Sequence, residues 1–361
     1  MRVLHILNGL NNGGVESFLL NLSKALEQSD IKMDFLLRSD KNDIEKIRYF
    51  EGKGSNIFYL PPFPRSIVKN YLELKRFLKG NRNYYDVIHI HANSLVYFAP
   101  IRLSCQLCSS SKVIIHSHNT KGISFISTAA NKINRHRLTR LPVTKLACGE
   151  KAGKWMFENE FEVLPNSIDV NSYRTTSEEK NNLRKKYGIT EENIILFVGR
   201  LEEQKNPLFM LPIMKNLCDN NPKIHLVYAG AGSLRNKLNE EIYKIGLSNN
   251  IHLLGNVNEV SLLLKVADVF VMPSIFEGLS IAAIEAQCSG IPAIMSDRVP
   301  EETILCKNAI TLALDEKLWE KEMLNLLEND QFDENNFYII EKSGYSLASL
   351  RKKISKIYKE K

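Results

Sequence analysis

The sequence has few cysteines for its length and no long apolar run. Six cysteines in 361 residues do not make a disulfide framework, and the pair Cys105 and Cys108 lacks the further cysteines or histidines of a zinc site. No apolar stretch approaches the ~18 residues that span a bilayer, and Asn8 and Gly9 interrupt the first short apolar run. We therefore expect reduced cysteines and a cytoplasmic protein without a signal peptide or a membrane span.

Five motifs of phosphate and nucleic-acid chemistry are also missing. The Gly-rich stretch at residues 8–16 is not Gly-x-Gly-x-x-Gly, and no ribose-binding acid follows the next strand, which disfavours a dinucleotide-dependent oxidoreductase. The sequence contains no Asp-x-Asp, the usual clamp for a metal-bound diphosphate. It also contains no helix-turn-helix, zinc-finger or RNP-like motif, so nucleic acid is not an expected partner.

The net charge of +7 is concentrated in the first half of the chain. Up to Ser167 there are 24 Lys and Arg against 14 Asp and Glu. The densest basic segment, residues 131–140, is continued by Lys145, Lys151 and Lys154, with Glu150 as the one acid expected nearby. A solvated helix face explains such a segment, and so does attraction to an anionic membrane surface or to a phosphate-bearing ligand.

Short apolar runs alternate with longer helical patterns along the whole chain, which predicts parallel sheets. The expected strands are residues 3–7, 31–37, 56–59, 86–90, 112–116, 143–147, 193–198, 225–229, 251–253, 268–272 and 292–295. Their number indicates two doubly wound domains rather than one sheet, with a boundary near residues 165–170. Leu350, Ile354 and Ile357 recur at helical spacing and predict a closing helix over 347–361. Ligands of doubly wound sheets bind beyond the carboxyl ends of the strands, and two facing domains would form a cleft.

Two acids, Glu277 and Glu285, flank the start of one predicted helix in the second half. The helix should begin near residues 279–281 and end before Gly290, whose missing Cβ suits a C′ position. Its first amides and its dipole favour a diphosphate. The two acids lie about a turn and a half apart, which suits hydrogen bonds to sugar hydroxyls on the two sides of the anion rather than a shared proton. A solvated Glu277 is the alternative, whereas Glu285 lies in an apolar run and needs a partner.

Two cations share one predicted strand-to-helix loop. Gly199 ends a strand, and we expect Asn206 to cap the next helix with Pro207 at its first position. Arg200 and Lys205 lie between them, where they could neutralise a departing diphosphate. Ordinary surface cations remain the alternative for this loop taken alone.

The first half offers a Gly-rich turn and two His-x-His pairs. Gly13 and Gly14 allow close approach of the backbone to a phosphate or sugar, or simply form a tight turn. The pairs His89/His91 and His116/His118 end two predicted strands. We expect the two histidines of one pair to point to the same face of the sheet, but not the same face as the other pair. Without a nearby acid they favour hydrogen-bonded core histidines over a metal site, and His118 is the one expected in the cleft.

Together these motifs resemble the retaining GT-B glycosyltransferases of family 4, particularly the bacterial enzymes of exopolysaccharide and capsule synthesis. The resemblance covers nearly the whole chain and is most specific over residues 272–297. It implies that the donor diphosphate is bound by Arg200 and Lys205, and that the donor sugar is contacted by Glu277 and His118. Backbone amides would come from Gly278, Leu279, Ser280 and Ile281, and the ribose hydroxyls would be held by Glu285. The donor phosphate and the acceptor would be bordered by Gly13 and Gly14, with Glu16 beside them.

The resemblance also implies a domain plan and a reaction. Residues 1–168 would form an acceptor-binding Rossmann-like domain onto which 345–361 pack back, and 169–344 would bind the nucleotide sugar. We expect metal-independent transfer of a hexose, without a cofactor, from a nucleotide diphosphate sugar such as a UDP-sugar to a polyprenyl-linked glycan. The basic first domain would hold the enzyme peripherally on the inner membrane face. Two other classes stay open: a nucleotide-sugar epimerase or phosphorylase of the same fold, and a non-catalytic transferase-like subunit.

Overall fold

The chain forms two compact α/β units. The computed structural model describes residues 1–11, 13–119, 125–190 and 192–360, with the backbone alone for 125–127. Unit 1 comprises Met1–Ser167 and Leu347–Lys361, and unit 2 comprises Ile168–Ser346. Each is built on a parallel sheet, which confirms the predicted fold class of two Rossmann-like doubly wound domains. Within these described ranges, no helix is long and apolar enough to cross a membrane.

The sheet of unit 1 has its first strand near the middle. Its strands are β1 (Arg2–Leu7), β2 (Lys32–Leu37), β3 (Ile57–Tyr59), β4 (Val87–Ala92), β5 (Lys112–Ser117), β6 (Val143–Ala147) and β7 (Glu162–Val163). They lie in the order β3-β2-β1-β4-β5-β6-β7, so the strand order reverses between β1 and β4. Because both faces are covered by helices, the central strands read as almost continuous apolar runs.

Helices cover both faces of this sheet. They are α1 (Gly14–Leu26), α2 (Ile44–Gly52), α3 (Ile67–Gly80), α4 (Ala99–Leu107), α5 (Phe125–Leu138) and α6 (Glu150–Met156). Helix α1 follows the Gly-rich turn directly, and Phe18, Leu19 and Leu22 on one of its faces are fully buried. This 3–4 residue spacing is the reason that the segment forms an amphipathic helix and packs on the sheet.

Unit 2 repeats this plan with a second parallel sheet. Its strands are β8 (Asn193–Val198), β9 (Ile224–Ala229), β10 (Ile251–Gly255), β11 (Val269–Met272), β12 (Ala293–Ser296) and β13 (Ala309–Leu312). The order is β10-β9-β8-β11-β12-β13, so it reverses between β8 and β11. The sequence did not predict β7 or β13, because both are short edge strands in which polar residues interrupt the apolar pattern.

The helices of unit 2 are α7 (Val170–Tyr173), α8 (Ser177–Tyr187), α9 (Met210–Asn220), α10 (Arg235–Lys244), α11 (Val260–Val266), α12 (Ile281–Cys288), α13 (Glu316–Glu328) and α14 (Asn336–Lys342). Gly290 follows α12 with φ +88, as its predicted C′ role requires. As predicted, Asn206 stands at an N-cap position with Pro207 directly after it, but the segment that they begin, Pro207–Phe209, is a short 3-10 turn rather than an α-helix. Asn206 is left-handed at φ 52 and makes no side-chain cap; it joins two short 3-10 turns, a conformation that Asn tolerates better than most residues.

The last helix, α15 (Leu347–Lys359), belongs to unit 1. Leu350, Ile354 and Ile357 are buried in the same core cluster as the apolar face of α1. The Tyr358 hydroxyl lies 2.8 Å from His89 Nδ1, and Lys112 Nζ donates to the carbonyls of Ile357 and Glu360 at 2.6 and 2.8 Å. A cation at the end of a helix satisfies carbonyls that have no partner within the helix.

Candidate functional site

The loops that follow β8 and β11 meet at the point where the strand order of unit 2 reverses. Gln204 Nε2 donates to the Phe276 carbonyl at 3.2 Å, and the Ile275 amide donates to the Gln204 carbonyl at 2.8 Å. These two bonds bring the cation loop and the Glu277 loop together. Doubly wound sheets bind their ligands at this position.

Lys205 and Glu277 form a buried ion pair in these loops. Lys205 Nζ lies 2.6 Å from Glu277 Oε1, and the two side chains are only 13% and 6% exposed. The alternative of a solvated Glu277 is therefore wrong. A buried pair of this kind is weak evidence for added stability, because the cost of desolvating both charges offsets their attraction.

Arg200, in contrast, is exposed. Its Nη2 donates to Gln204 Oε1 at 3.2 Å, and Gln204 is the residue that ties the two loops together. The guanidinium is therefore oriented from one side, and several of its five N–H donors remain available for an anion.

A third loop, after β9, packs against the cation loop through glycines. A Cβ on Gly230 would lie 1.9 Å from the Gly199 carbonyl oxygen, and one on Gly232 would lie 2.2 Å from that of Leu201. Glu202 accepts bonds from the Ser233 amide and hydroxyl at 2.8 and 2.6 Å, which lowers the pKa of its carboxyl. Sequence reasoning missed this loop, although the spacing Gly-x-Gly after a strand was a signal for it.

Helix α12 begins at Ile281 beside the ion pair. Ser280 stands at its N-cap but makes no side-chain cap, since the hydroxyl lies 3.2 Å from Met272 Sδ instead. Ser280 therefore gives the first-turn amides of α12 no side-chain acceptor, and amides at a helix start favour an anion. The side chains of Leu279 and Ile281 pack against a core cluster of unit 2.

Glu285, one turn further along α12, is bound by Tyr173. The Tyr173 hydroxyl donates to Glu285 Oε1 at 2.7 Å. Burial raises the pKa of Glu285 to about 7, an effect that the bond from Tyr173 partly opposes. Tyr173 ends α7, 112 residues earlier in the chain, and no local pattern in the sequence could have identified it as the partner.

Unit 1 has a cavity of about 570 Å³ at its own reversal point, beyond β1 and β4. The predicted residues that line it are Gly13, Gly14, Glu16 and His118. Glu16 Oε1 accepts from the Asn11 amide at 3.2 Å, and a Cβ on Gly13 would lie 2.8 Å from Glu16 Oε2. Because Gly13 has an extended backbone and that contact is with the flexible end of the Glu16 side chain, the structure itself does not require glycine here. Residue 12 lies outside the described residues.

Five histidines cluster beneath this cavity, and four of them are buried while His118 is partly exposed. We did not single out His5 from the sequence. It lies on β1, which has β2 with Phe35 on one side and β4 with His89 and His91 on the other. The expectation that each pair shares a face only within itself was wrong, because β4 and β5 are neighbours whose register sets His91 opposite His116. Parallel neighbours in register point the same way.

The histidine rings bond to one another. His5 Nδ1 lies 3.0 Å from His91 Nε2, and His91 Nδ1 lies 3.0 Å from His118 Nε2. Burial lowers the pKa of all three, to about 3 for His5 and His118, so the rings are neutral. Each neutral ring has one N–H, so His91 donates one bond and accepts the other, and the tautomers are coupled.

Two triplets of these rings could in principle ligate a metal ion. The ligand nitrogens of His5, His89 and His91 lie within 4.8 Å of one another, and so do those of His91, His116 and His118. Stacking between the rings, with 4.3 Å between the ring centres of His89 and His91, and hydrogen bonds such as that between His91 and His118 favour a packed core.

The basic segment is less uniformly charged than expected. Glu150 is not the one acid nearby: Arg135 pairs with Glu158 at 3.2 Å and Lys145 with Glu160 at 3.7 Å. The chain turns back after α6 and brings these acids beside cations that precede them in sequence. Lys132, Arg137 and Arg140 remain exposed on or just after α5.

Two family models match the chain. Residues 12–171 match the model described as Glycosyltransferase Family 4, and residues 179–339 match Glycosyl transferases group 1. The putative glycosyltransferase EpsF of Bacillus subtilis (strain 168) is 30% identical over 314 residues, covering 83% of this chain and 80% of EpsF. A UDP-Gal:alpha-D-GlcNAc-diphosphoundecaprenol alpha-1,3-galactosyltransferase of Escherichia coli is 29% identical over 66% of each chain.

The fold is shared with solved transferases. Anabaena HepE, solved in complex with UDP-glucose, superimposes with a TM-score of 0.78 over 99% of both chains at 15% sequence identity. Matches to EpsF and to both family models, on a pair of parallel-sheet units with this fold, lead to one conclusion: the chain belongs to the family 4 glycosyltransferases of the GT-B fold, a family with members in bacterial polysaccharide synthesis.

Proposed function

We propose that the protein is a retaining glycosyltransferase that moves a hexose from a UDP-sugar to a lipid-linked glycan in polysaccharide synthesis, without a metal ion. The observation that carries the proposal is the buried Lys205–Glu277 pair beside the start of α12. The printed activity of the E. coli relative, which names a UDP-sugar donor and a diphosphoundecaprenol acceptor, supports the choice of substrates.

The proposed donor site lies wholly in unit 2. Lys205 has three donors, of which one faces Glu277 and one makes a long 4.0 Å contact with Met272 Sδ, so a third would be left for a diphosphate. Arg200 and the first amides of α12 supply further positive charge, which is the role that a metal ion has in other transferases. Glu277 would accept bonds from sugar hydroxyls, and Glu285, steadied by Tyr173, from the ribose.

In the proposed reaction, the bond between the sugar C1 and the diphosphate oxygen breaks with its electron pair going to that oxygen. The acceptor hydroxyl then forms a bond to C1 on the same face and gives its proton to the departing phosphate oxygen. This route needs no general base, so positioning and charge stabilisation supply most of the rate. His118 and the glycines of unit 1 would contact substrates at the cavity beyond β1.

We also propose that the exposed face of α5 holds the enzyme on an anionic membrane. Lys132 and Arg137 are exposed there, and Ile133 is 60% exposed between them, as expected for a helix that dips into headgroups. Each basic residue near such a surface contributes about 1 kcal/mol. Reversing both charges (Lys132→Glu with Arg137→Glu) should abolish flotation with phosphatidylglycerol vesicles, and unchanged flotation would remove this part of the proposal.

The experiment for the reaction uses the full chain and a panel of nucleotide sugars. Glu277→Gln and Arg200→Ala should lose at least 100-fold in transfer, on the order of a lost charge-stabilising donor, whereas Lys215→Ala, an exposed cation of α9, should not. Transfer should persist in EDTA, and the product should keep the donor's anomeric configuration. Full activity of Glu277→Gln would refute the proposed site. Epimerisation of the donor sugar without an acceptor would indicate an epimerase. The absence of a thermal shift with every nucleotide would favour a non-catalytic subunit.

A further inference from the structure

The cavity of unit 1 contains a cation that the proposed reaction does not use. Arg38 follows β2 directly and lines the cavity, with its backbone amide bonded to the Asn8 carbonyl at 2.9 Å. Its guanidinium carbon lies 5.1 Å from the centre of the Phe63 ring and 4.8 Å from that of Tyr97. The strand end and the two rings therefore fix the position of the charge.

In the part of the chain that the structure describes, Arg38 has no ionic partner. Among the described residues, its Nη1 is screened from solvent and makes no hydrogen bond, and the nearest acid in sequence, Asp40, pairs with Arg65 instead. Burial lowers the pKa of Arg38 to about 10, so it stays charged at neutral pH. A buried donor on a charged group without an acceptor is costly, and such a cost is typical of a site that a ligand completes.

The rings beside Arg38 are held rigidly. Phe63 and Tyr97 stack with 4.2 Å between their centres. The Tyr97 hydroxyl donates to Asn70, which is fully buried and in turn donates to the Pro61 carbonyl. This chain of bonds fixes the aromatic wall before any ligand arrives, which reduces the entropy cost of binding.

Two uncharged polar side chains that line the same cavity each have an atom without a hydrogen-bond partner among the described residues. Among the described residues, His118 Nδ1 and Asn166 Oδ1 are screened from solvent without a hydrogen bond. Such atoms match the hydroxyl groups of a sugar. One unpaired cation and two unpaired neutral groups around a single cavity thus match a sugar that carries one negative group.

We propose that Arg38 binds an oxyanion of the acceptor, either a phosphate or a sugar carboxylate, and so selects acceptors that carry one. The proposal rests on the proposed function only in naming the ligand as the acceptor. An arginine beside aromatic rings suits this task. Its N–H donors bond an oxyanion in the plane of the guanidinium, while the face of the guanidinium packs on the aromatic rings.

Binding can be tested without any catalysis. The Arg38 Nε–Hε signal of the ¹⁵N-labelled full chain is assigned by its loss in Arg38→Lys, and methyl phosphate, methyl glucuronide and neutral methyl glucoside are titrated in turn. We expect saturable shifts of this signal with at least one anion and none with methyl glucoside, and the tighter anion identifies the source of the charge. No shift with either anion, or equal shifts of the exposed Arg65, would overturn the proposal.

Kinetics supply a second arm once an acceptor has been found. With paired acceptors that differ by the anionic group, the wild type should prefer the anionic one by about 10- to 100-fold in kcat/KM, the usual effect of one charge-assisted bond. Arg38→Gln should erase this preference through the acceptor KM and leave the donor KM unchanged, while Arg65→Gln should behave as wild type. A preserved preference in Arg38→Gln would refute the inference and leave the proposed function standing; no transfer by the wild type would refute the function and leave the titration to decide.

Discussion

The shifted pKa of Glu285 predicts how the stability of unit 2 depends on pH. In the folded chain this carboxyl has a pKa of about 7 against its ordinary 4.5, because it is buried. Between these two pH values the folded state keeps a proton that the unfolded state has released. The stabilising contribution is therefore complete below pH 4.5 and is lost as the pH rises through 7.

The perturbation that isolates this effect is Glu285→Gln, which keeps the shape and cannot ionise. At ~1.4 kcal/mol for each pH unit, the wild type should lose up to about 3 kcal/mol relative to the variant between pH 4.5 and pH 8. Removing the bond from Tyr173 with Tyr173→Phe should extend this loss to higher pH and make it larger, because that bond lowers the pKa of Glu285 in the folded state.

The assay follows unit 2 alone. The chain has two tryptophans, of which Trp319 is fully buried in unit 2 and Trp155 lies in unit 1. In a Trp155→Phe background, Trp319 fluorescence during urea unfolding reports the free energy of unfolding of unit 2. The exposed Glu240→Gln serves as the control, with a pH curve parallel to that of the wild type. A difference between Glu285→Gln and the wild type that does not change with pH would refute the reasoning.

Three further predictions concern the packing around the two sites. Lys205→Met leaves Glu277 buried without its cation and should destabilise unit 2 by about 3–5 kcal/mol in the same assay, while Lys205→Met with Glu277→Gln should recover most of the loss; equal losses in both would contradict an ion pair. Gly230→Ala should abolish nucleotide-induced thermal protection, because its Cβ would displace the Gly199 carbonyl, whereas Gly246→Ala, in open space at φ +76, should cost only about 1–2 kcal/mol and keep that protection. Ile354→Ala should raise hydrogen exchange in α1 and leave α9 unchanged, since a buried Ile→Ala change costs about 2–5 kcal/mol in the cluster that holds it; unaltered exchange in α1 would show that α15 does not support it.

Local patterns were enough to predict the elements that carry the proposed donor site. The apolar run of β11, the loop with Glu277 and the helix that ends before Gly290 are contiguous in sequence, so spacing alone placed them. The sequence also predicted that Arg200 and Lys205 would share a loop. It did not predict that Lys205 and Glu277 contact each other, because that contact depends on β8 and β11 being neighbours in the sheet.

The residues that were missed are those whose role depends on distant parts of the chain. Tyr173 reaches Glu285 across 112 residues, and Arg38 acquires its aromatic wall from Tyr97 through tertiary packing alone. His5 looks like one polar residue in an apolar strand until β1 is placed beside β4. Sequence periodicity reports which face of an element is buried, but not what it is buried against.

The membership of α15 in unit 1 has a consequence for synthesis of the protein. While the ribosome translates the chain, the apolar face of α1 stays without its helical cover until the whole of Ile168–Ser346 has emerged. Unit 2, a continuous segment, can complete its core earlier than the unit that precedes it. Nascent chains whose synthesis stalls after α1 has emerged and before α15 has emerged should therefore depend on chaperones that shield α1.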